Sequence, residues 1–137
     1  RYWKSKGIDS NKIFQVDGSG MSMKNAISPQ FLVDMLTYMY KDSKYSKSFI
    51  STLPTAGRNG TVASFMKETR LEGKAHIKSG SMERVQNFAG YINANNKWYA
   101  FSIMVSNFTG ARAAVKKQIS TLLNELIVND NQLIKQP

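Results

Sequence analysis

The chain has 137 residues, 42% of them hydrophobic and 20% charged, a composition typical of one globular domain with a modest core. It contains no cysteine, which excludes disulfides and thiol chemistry, and no apolar run long enough to cross a bilayer. Nineteen lysines and arginines stand against nine acidic residues, and the net charge of +10 favours an anionic partner. The basic residues are scattered, however, and no strand has the aromatic and basic pattern that stacks bases. We therefore expect a solvated basic surface and no nucleic acid partner.

The first third of the chain predicts a short strand, a loop and a helix. Apolar residues at 13–16 favour a strand, and residues 17–20 have the composition of a loop. Ser28 followed by Pro29 is a helix-start signal, because the serine hydroxyl can cap the first turn and proline suits the first helical position. Apolar residues then recur at helical spacing, so residues 29–41 are predicted to form an amphipathic helix.

Turn-forming residues interrupt the middle of the chain. Residues 49–53 predict a further helical turn, and Pro54 then favours a break. The segment GRNGT (57–61) contains glycines but lacks the Lys-Ser/Thr of a phosphate-binding loop, so we interpret it as a turn. Residues 62–69 are predicted to form a short helix.

The second half of the chain predicts three strands and a long helix. The strands are expected near residues 75–78, 85–93 and 98–107, with a turn at 94–97 and a helix from about 110 to 128. Sequential strands joined by short turns favour antiparallel pairing, with helices packed against the sheet. The predicted fold class is therefore α+β, an antiparallel sheet with flanking helices.

The chain offers few residues for acid–base or metal chemistry. Its single histidine, His76, lies in the middle of a predicted strand, so a structural or solvent-facing role is favoured over that of a general base. One histidine, no cysteine and no acidic pair at metal-ligand spacing argue against a zinc site. We therefore expect no metal and no cofactor.

A serine enzyme can use lysine in place of histidine, and residues 78–81 (Lys-Ser-Gly-Ser) match one motif of such enzymes. Penicillin-recognising enzymes carry Ser-x-x-Lys at the nucleophile, then Ser-x-Asn, then Lys-Thr/Ser-Gly on a strand. The strand lysine and hydroxyl attract a substrate carboxylate, and the N–H after the glycine helps to hold the oxyanion. Lys-Ser-Gly also occurs by chance, so the interpretation depends on the surrounding segments.

The surrounding segments are DGSGMSMKNAISP (17–29), LPTAGRNGT (53–61), GKAHIKSGSM (73–82) and NFAGYI (87–92). In order and spacing they resemble the C-terminal part of the D-alanyl-D-alanine carboxypeptidases/endopeptidases known as class C low-molecular-mass penicillin-binding proteins. Met21 stands where leucine is usual, which keeps the apolar volume, and Ser79 stands where threonine is usual, which keeps the hydroxyl. The resemblance covers residues 13–128 or so and implies that residues 1–137 form the C-terminal part of one penicillin-binding transpeptidase-like (β-lactamase-like) domain.

The resemblance implies a binding role for the strand motif. Lys78 and Ser79 would bind the C-terminal carboxylate of a D-Ala-D-Ala peptide or of a β-lactam. Gly80 would allow the ligand to approach the backbone, and Ser81 would supply one oxyanion-hole N–H.

A second group of residues belongs to the family's characteristic loop. Asp17, Ser22 and Asn25 are expected near the active-site region, with no catalytic step assigned to them. The alternative is that these side chains serve local turns and the entry to the following helix, since Asp, Ser and Asn readily bond nearby backbone groups. Both interpretations stay open at this point.

The family's nucleophile motif and Ser-x-Asn motif precede the whole matching region, so we expect no catalytic nucleophile among these residues. Ser64-Phe65-Met66-Lys67 matches Ser-x-x-Lys literally, but it lies too close before Lys78 and suggests a plain helical turn. Tyr91-Ile92-Asn93 resembles Tyr-x-Asn but follows Lys78, and a strand entering a turn explains it more simply.

The chain begins at Arg1 without an initiator methionine or signal-peptide pattern, so we expect a segment of a longer protein. The resemblance implies that this parent is exported to the periplasm or cell envelope and cleaves peptidoglycan stem peptides, with the segment alone inactive. The alternatives are a non-catalytic basic module that binds an anionic polymer, and a β-lactamase. We also expect an exposed sheet edge or apolar face that pairs with the missing N-terminal part or causes self-association.

Overall fold

The computed structural model describes residues 2–133. Two short 3-10 turns, Ser10–Lys12 and Gly60–Val62, accompany the regular elements. No helix in this range is long and apolar enough to cross a membrane. The elements are, in chain order, α1 (Tyr2–Ser5), β1 (Ile13–Phe14), β2 (Ala26–Ile27), α2 (Pro29–Lys41), α3 (Ser46–Thr52), β3 (Ala75–Met82), β4 (Val85–Ala94), β5 (Lys97–Ser106) and α4 (Arg112–Leu133).

Strands β3, β4 and β5 form an antiparallel sheet in chain order, while β1 and β2 pair in a separate two-stranded ribbon. The β4–β5 hairpin turns through Asn95 and Asn96, whose φ angles of 57° and 58° are left-handed. A two-residue type I′ turn requires such values, and asparagine tolerates them better than most residues. The predicted hairpin and antiparallel sheet are confirmed.

Gly90 allows β3 and β4 to approach each other closely. A Cβ atom at this position would lie 2.0 Å from the carbonyl oxygen of His76 and 2.9 Å from the Cα of Ile77. Both atoms belong to the backbone of the facing strand, so a larger residue would force the strands apart. The glycine of the Phe-Ala-Gly-Tyr segment therefore sets the position of the strand that carries Lys78.

One face of the sheet packs against α4 and the loop before β3 to form the hydrophobic core. Phe65 from this loop stacks on Phe88 of β4, with ring centroids 4.1 Å apart and planes 7° apart. The predicted C-terminal helix is confirmed, although it starts two residues later than expected and extends to Leu133. Its buried residues recur at helical spacing and are Val115, Ile119, Leu123 and Ile127.

Helices α2 and α3 cover the opposite face of the sheet. The hydroxyl of buried Tyr91 donates a 2.6 Å hydrogen bond to the carbonyl of Leu36 in α2, and burial raises the pKa of Tyr91 to about 12. Phe49 of α3 meets the Tyr91 ring edge-on. His76 stacks on Trp98, with centroids 5.9 Å apart, which is a structural role of the kind predicted for it.

The start of α2 follows the signal in the sequence. The hydroxyl of Ser28 accepts a 3.1 Å hydrogen bond from the N–H of Phe31, and Pro29 occupies the first helical position. Helix α2 has the predicted bounds. Helix α3 begins three residues before the helical turn predicted at 49–53.

The prediction of a short helix at 62–69 is wrong. Only the 3-10 turn at Gly60–Val62 is helical, and residues 63–74 form successive turns and a bend. Met66 and Glu68 both have a φ of 61°, which a right-handed helix does not allow. The side chains of Phe65 and Met66 are buried in the core. Their burial accompanies a backbone path that helix propensity alone would not produce.

Candidate substrate-binding edge of strand β3

The Lys-Ser-Gly-Ser motif fills most of the second half of β3, because the strand runs beyond the end predicted near residue 78. The strand continues to Met82, and the hairpin to β4 turns through Glu83 and Arg84. Serine and glycine are poor strand formers, but pairing with the long strand β4 extends the ladder through them. The motif is therefore held by β4 along its whole length.

The outer edge of β3 presents main-chain groups to its surroundings. The N–H of Ile77 donates to the carbonyl of Pro54 at 2.8 Å, and the carbonyl of Ala75 accepts from the N–H of Ala56 at 2.9 Å. Because main-chain groups of alternate residues face the same edge, those of Ser79 and Ser81 also face outward. Beyond Ile77, no strand within residues 2–133 pairs with this edge. An extended peptide can add at such an edge.

The polar side chains of the motif lie beside this edge. The Lys78 ammonium donates a 2.6 Å hydrogen bond to the outward carbonyl of Ser79. The hydroxyls of Ser79 and Thr61 are 2.7 Å apart and share a hydrogen bond. The sequence motifs assign no role to Thr61, although it ends the GRNGT segment that carries part of the resemblance. The contact orients the Ser79 hydroxyl.

Gln86 fixes the far end of the motif from inside the sheet. It is fully buried, and its Oε1 accepts a 2.9 Å hydrogen bond from the hydroxyl of Ser81. Its Nε2 donates to the carbonyl of Gly80 at 3.3 Å. Sequence reasoning missed Gln86, although a glutamine at an inward position of an otherwise buried strand pattern is a detectable signal.

Arg112, the first residue of α4, ties the same region to the helix. Its guanidinium donates to the carbonyls of Val85 at 2.6 Å and Met82 at 2.7 Å, and to Oε1 of Gln86 at 3.3 Å. These bonds hold both sides of the β3–β4 turn. The position of Ser81 therefore depends on a residue 31 positions further along the chain.

A largely apolar cavity of about 370 Å³ lies between the sheet and the helices α2 and α3. Lys78, Ser79 and Gly80, which are consecutive in β3, line one side of it. Asn87 and Ser102 also line it, and each has a buried oxygen atom (Oδ1 and Oγ) without a hydrogen-bond partner in the described residues. Buried polar atoms normally have partners, so this cavity is suited to an additional polar group.

The loop at 17–25 is organised around the carboxylate of Asp17. This carboxylate accepts hydrogen bonds from the hydroxyl of Ser19 and the N–H groups of Gly20 and Ser22, which together lower the pKa of Asp17. Oδ1 of Asn25 accepts from the N–H of Val16 at 2.8 Å. The side-chain hydrogen bonds of Asp17, Ser22 and Asn25 stay within residues 16–25, as the turn interpretation expects. Ile27, which follows the loop, lines the cavity.

The literal Ser-x-x-Lys motif lies away from this cavity. Ser64 and Lys67 line a different groove, beside α4. The plain helical turn expected here is absent, because Met66 between them has left-handed backbone geometry. Asn93 lies in β4 just before the hairpin turn, where the sequence placed it.

The family model of the D-Ala-D-Ala carboxypeptidase 3 (S13) family matches residues 2–126, and the chain belongs to this family. The resemblance and the fold class inferred from the sequence are thereby confirmed. The match also includes α1 and the residues before 13, which the sequence motifs did not reach.

Among curated relatives, the chain is 31% identical over 125 residues to the D-alanyl-D-alanine carboxypeptidase of Actinomadura sp. strain R39, covering 87% of this chain and 23% of the relative. It is 37% identical over 89 residues to penicillin-sensitive carboxypeptidase A of Dictyostelium discoideum, covering 64% and 17%. Penicillin-binding protein 4 (dacB) of Haemophilus influenzae superposes with a TM-score of 0.80 at 28% identity, covering 91% of this chain and 30% of that chain. The chain thus spans less than a third of each of these proteins.

Proposed function

We propose that the protein containing this chain is a serine-type D-Ala-D-Ala carboxypeptidase/endopeptidase that cleaves peptidoglycan stem peptides through an acyl-enzyme and also binds β-lactams. The observation that carries the proposal is the outer edge of β3, where outward main-chain groups of Ser79 and Ser81 accompany the Lys78 ammonium and Ser79 hydroxyl. Membership of the carboxypeptidase family supports the same conclusion.

Each residue of the edge has a distinct role in this proposal. The substrate's C-terminal carboxylate displaces the carbonyl of Ser79 as the partner of Lys78 and accepts a second hydrogen bond from the Ser79 hydroxyl. The outward N–H of Ser81 donates to the oxyanion as negative charge develops on the scissile carbonyl oxygen. Gly80 carries no side chain above the strand, so the peptide can lie against it.

The nucleophile in this proposal is a serine outside residues 1–137, and the cavity beside Lys78 receives the part of the protein that carries it. The apolar lining of the cavity and the unpartnered oxygens of Asn87 and Ser102 support this partner.

The side of β5 that faces away from β4 also has no strand partner within residues 2–133, and the β5 side chains between its two end residues are half-buried. Without its partner, the chain is expected to self-associate, which sedimentation at increasing concentration would detect. We place the protein in the periplasm or cell envelope, where its proposed substrate occurs.

A fluorescent penicillin tests the proposal directly. The whole protein should become covalently labelled on a serine outside residues 1–137, and the 137-residue chain alone should stay unlabelled. A Ser64→Ala substitution in the whole protein should leave the labelling unchanged. Absence of labelling would contradict the proposal, as would labelling of Ser64. Rapid turnover of the β-lactam would instead indicate a β-lactamase.

Replacement of Lys78 with alanine tests the binding edge itself. Loss of one charge-assisted hydrogen bond to the carboxylate should lower the second-order acylation rate about ten- to a hundredfold. Lys74→Ala is the matched control, because Lys74 is also exposed and lies immediately before β3, away from the motif. Equal rates for the two variants would rule out the carboxylate-binding role of Lys78.

A further inference from the structure

A second groove, of about 400 Å³, lies beside α4 and away from the cavity next to Lys78. One wall is the turn segment at 64–69, and the other is the first half of α4. Its polar lining is basic and hydroxylic. The polar side chains of the lining include those of Ser64, Lys67, Lys116, Lys117, Ser120 and Thr121.

The three lysines of the groove have no acidic partner within residues 2–133. None of the groove's lining residues is acidic. The ion pairs in the described part of the chain are Arg58–Glu72 and Lys97–Asp130, so neither involves a lysine of the groove. Lys67, Lys116 and Lys117 therefore line a concave surface, and neither of these ion pairs engages them.

The arrangement of charge in α4 does not favour the stability of the helix. Lys116 follows Arg112 by four residues, and like charges at this spacing repel each other. The first turn of α4 contains no acidic residue to complement the positive end of the helix dipole. An anion bound beside Lys116 would offset its repulsion from Arg112.

The opposite wall of the groove is held in an uncommon conformation. Met66 and Glu68, on either side of Lys67, have left-handed φ angles of 61°. Burial of Phe65 and Met66 in the core anchors this segment, while Ser64 and Lys67 stay exposed. Strained backbone that the surrounding structure enforces is concentrated at functional sites.

We propose that this groove binds a phosphate group. Lysine ammonium groups bind phosphate as point charges, and serine and threonine hydroxyls supply further donors to its oxygens. The site is independent of the proposed peptidase activity, because it uses none of the residues of the β3 edge.

The test compares two triple variants of the whole protein with the same net charge. The groove variant carries Lys67→Gln, Lys116→Gln and Lys117→Gln. The control carries glutamine at Lys41, Lys44 and Lys47, three exposed lysines at and after the end of α2. Each variant loses three positive charges, so diffuse surface charge affects both equally. Thermal unfolding of both variants and of the single variant Lys117→Gln verifies that they fold.

Two probes distinguish the sources of phosphate. One is inorganic pyrophosphate, measured by calorimetry, and the other is phosphatidylcholine vesicles with about 30% phosphatidylglycerol. Binding should weaken about tenfold or more in the groove variant and by no more than about twofold in the control, and added salt should weaken it further. Binding of both probes indicates a site for free phosphate groups, and binding of vesicles alone indicates a lipid headgroup. No binding of either probe by the unmodified protein would overturn the proposal, and so would equal losses in the two variants.

Discussion

Replacing Gln86 with leucine separates the stability of the β3 edge from its function. Leucine has a similar volume and suits a fully buried position, but it removes every hydrogen bond of the glutamine side chain. The change therefore releases the Ser81 hydroxyl and the carbonyl of Gly80 from their contacts with Gln86. It leaves in place the two shorter bonds of Arg112 to main-chain carbonyls.

The expected loss of stability follows from the lengths of these bonds. Only the bond from Ser81, at 2.9 Å, has an ordinary length. The bonds to the carbonyls of Gly80 and Asn87 and the bond from the Arg112 guanidinium measure 3.3–3.4 Å and contribute less. Ser81 is exposed and can bond to water after the change. We therefore expect the free energy of unfolding to fall by about 1–2 kcal/mol.

The functional effect is expected to be larger than this stability loss explains. The N–H of Ser81 remains in the variant but is held less firmly. The acylation rate with a fluorescent penicillin should then fall about tenfold, less than the loss of a whole oxyanion donor would cause. The assay is stopped-flow acylation of the whole protein, with urea unfolding measured in parallel.

Gln118→Leu is the matched control, because it makes the same chemical change at an exposed position of α4. It should change the free energy of unfolding by less than about 0.5 kcal/mol and leave acylation unaltered. If Gln86→Leu lowers stability but leaves acylation intact, then Gln86 is a packing residue and does not position the edge.

Three further substitutions test the fold and the loop. Gly90→Ala should destabilise the protein by about 3 kcal/mol or more, because the added methyl group meets the His76 carbonyl. A stability within about 1 kcal/mol of the unmodified protein would refute this close approach of the two strands. Tyr91→Phe should lower the free energy of chemical unfolding by only about 1 kcal/mol, since the Leu36 carbonyl lies within a helix and keeps its helical partner. In the unmodified protein, ultraviolet absorbance should show Tyr91 titrating with a pKa of about 12. Because folding lowers the pKa of Asp17, its carboxylate stabilises the protein at pH values above the ordinary pKa of 3.8. This stabilisation is lost as the pH falls through the lower pKa of the folded state. The stability difference between the protein and Asp17→Asn should therefore be constant above about pH 5 and shrink as the pH falls through 3.8 and below, and a difference that stays constant at low pH would show that the carboxylate charge is not involved.

Local signals in the sequence were sufficient for several elements. Ser28 and Pro29 determine the start of α2, because a helix cap involves only the next three residues. The asparagine pair of the β4–β5 turn likewise specifies its own backbone conformation. The order of short motifs around Lys78 was enough to identify the family, since each motif is a local pattern.

Other features depended on residues far apart in the chain. The segment at 62–69 has the pattern of a helix, yet burial of Phe65 and Met66 against the sheet and α4 accompanies a different path. Thr61 reaches Ser79 across 18 positions, and Arg112 reaches Met82 across 30. Neither contact has a local pattern in the sequence, because the first arises only when the turn at 60–62 packs against β3 and the second only when α4 packs against the sheet. The sequence by itself therefore determined the family and predicted the residues of the proposed binding edge, whereas tertiary packing alone decided how that edge is held and which side of the sheet its cavity occupies.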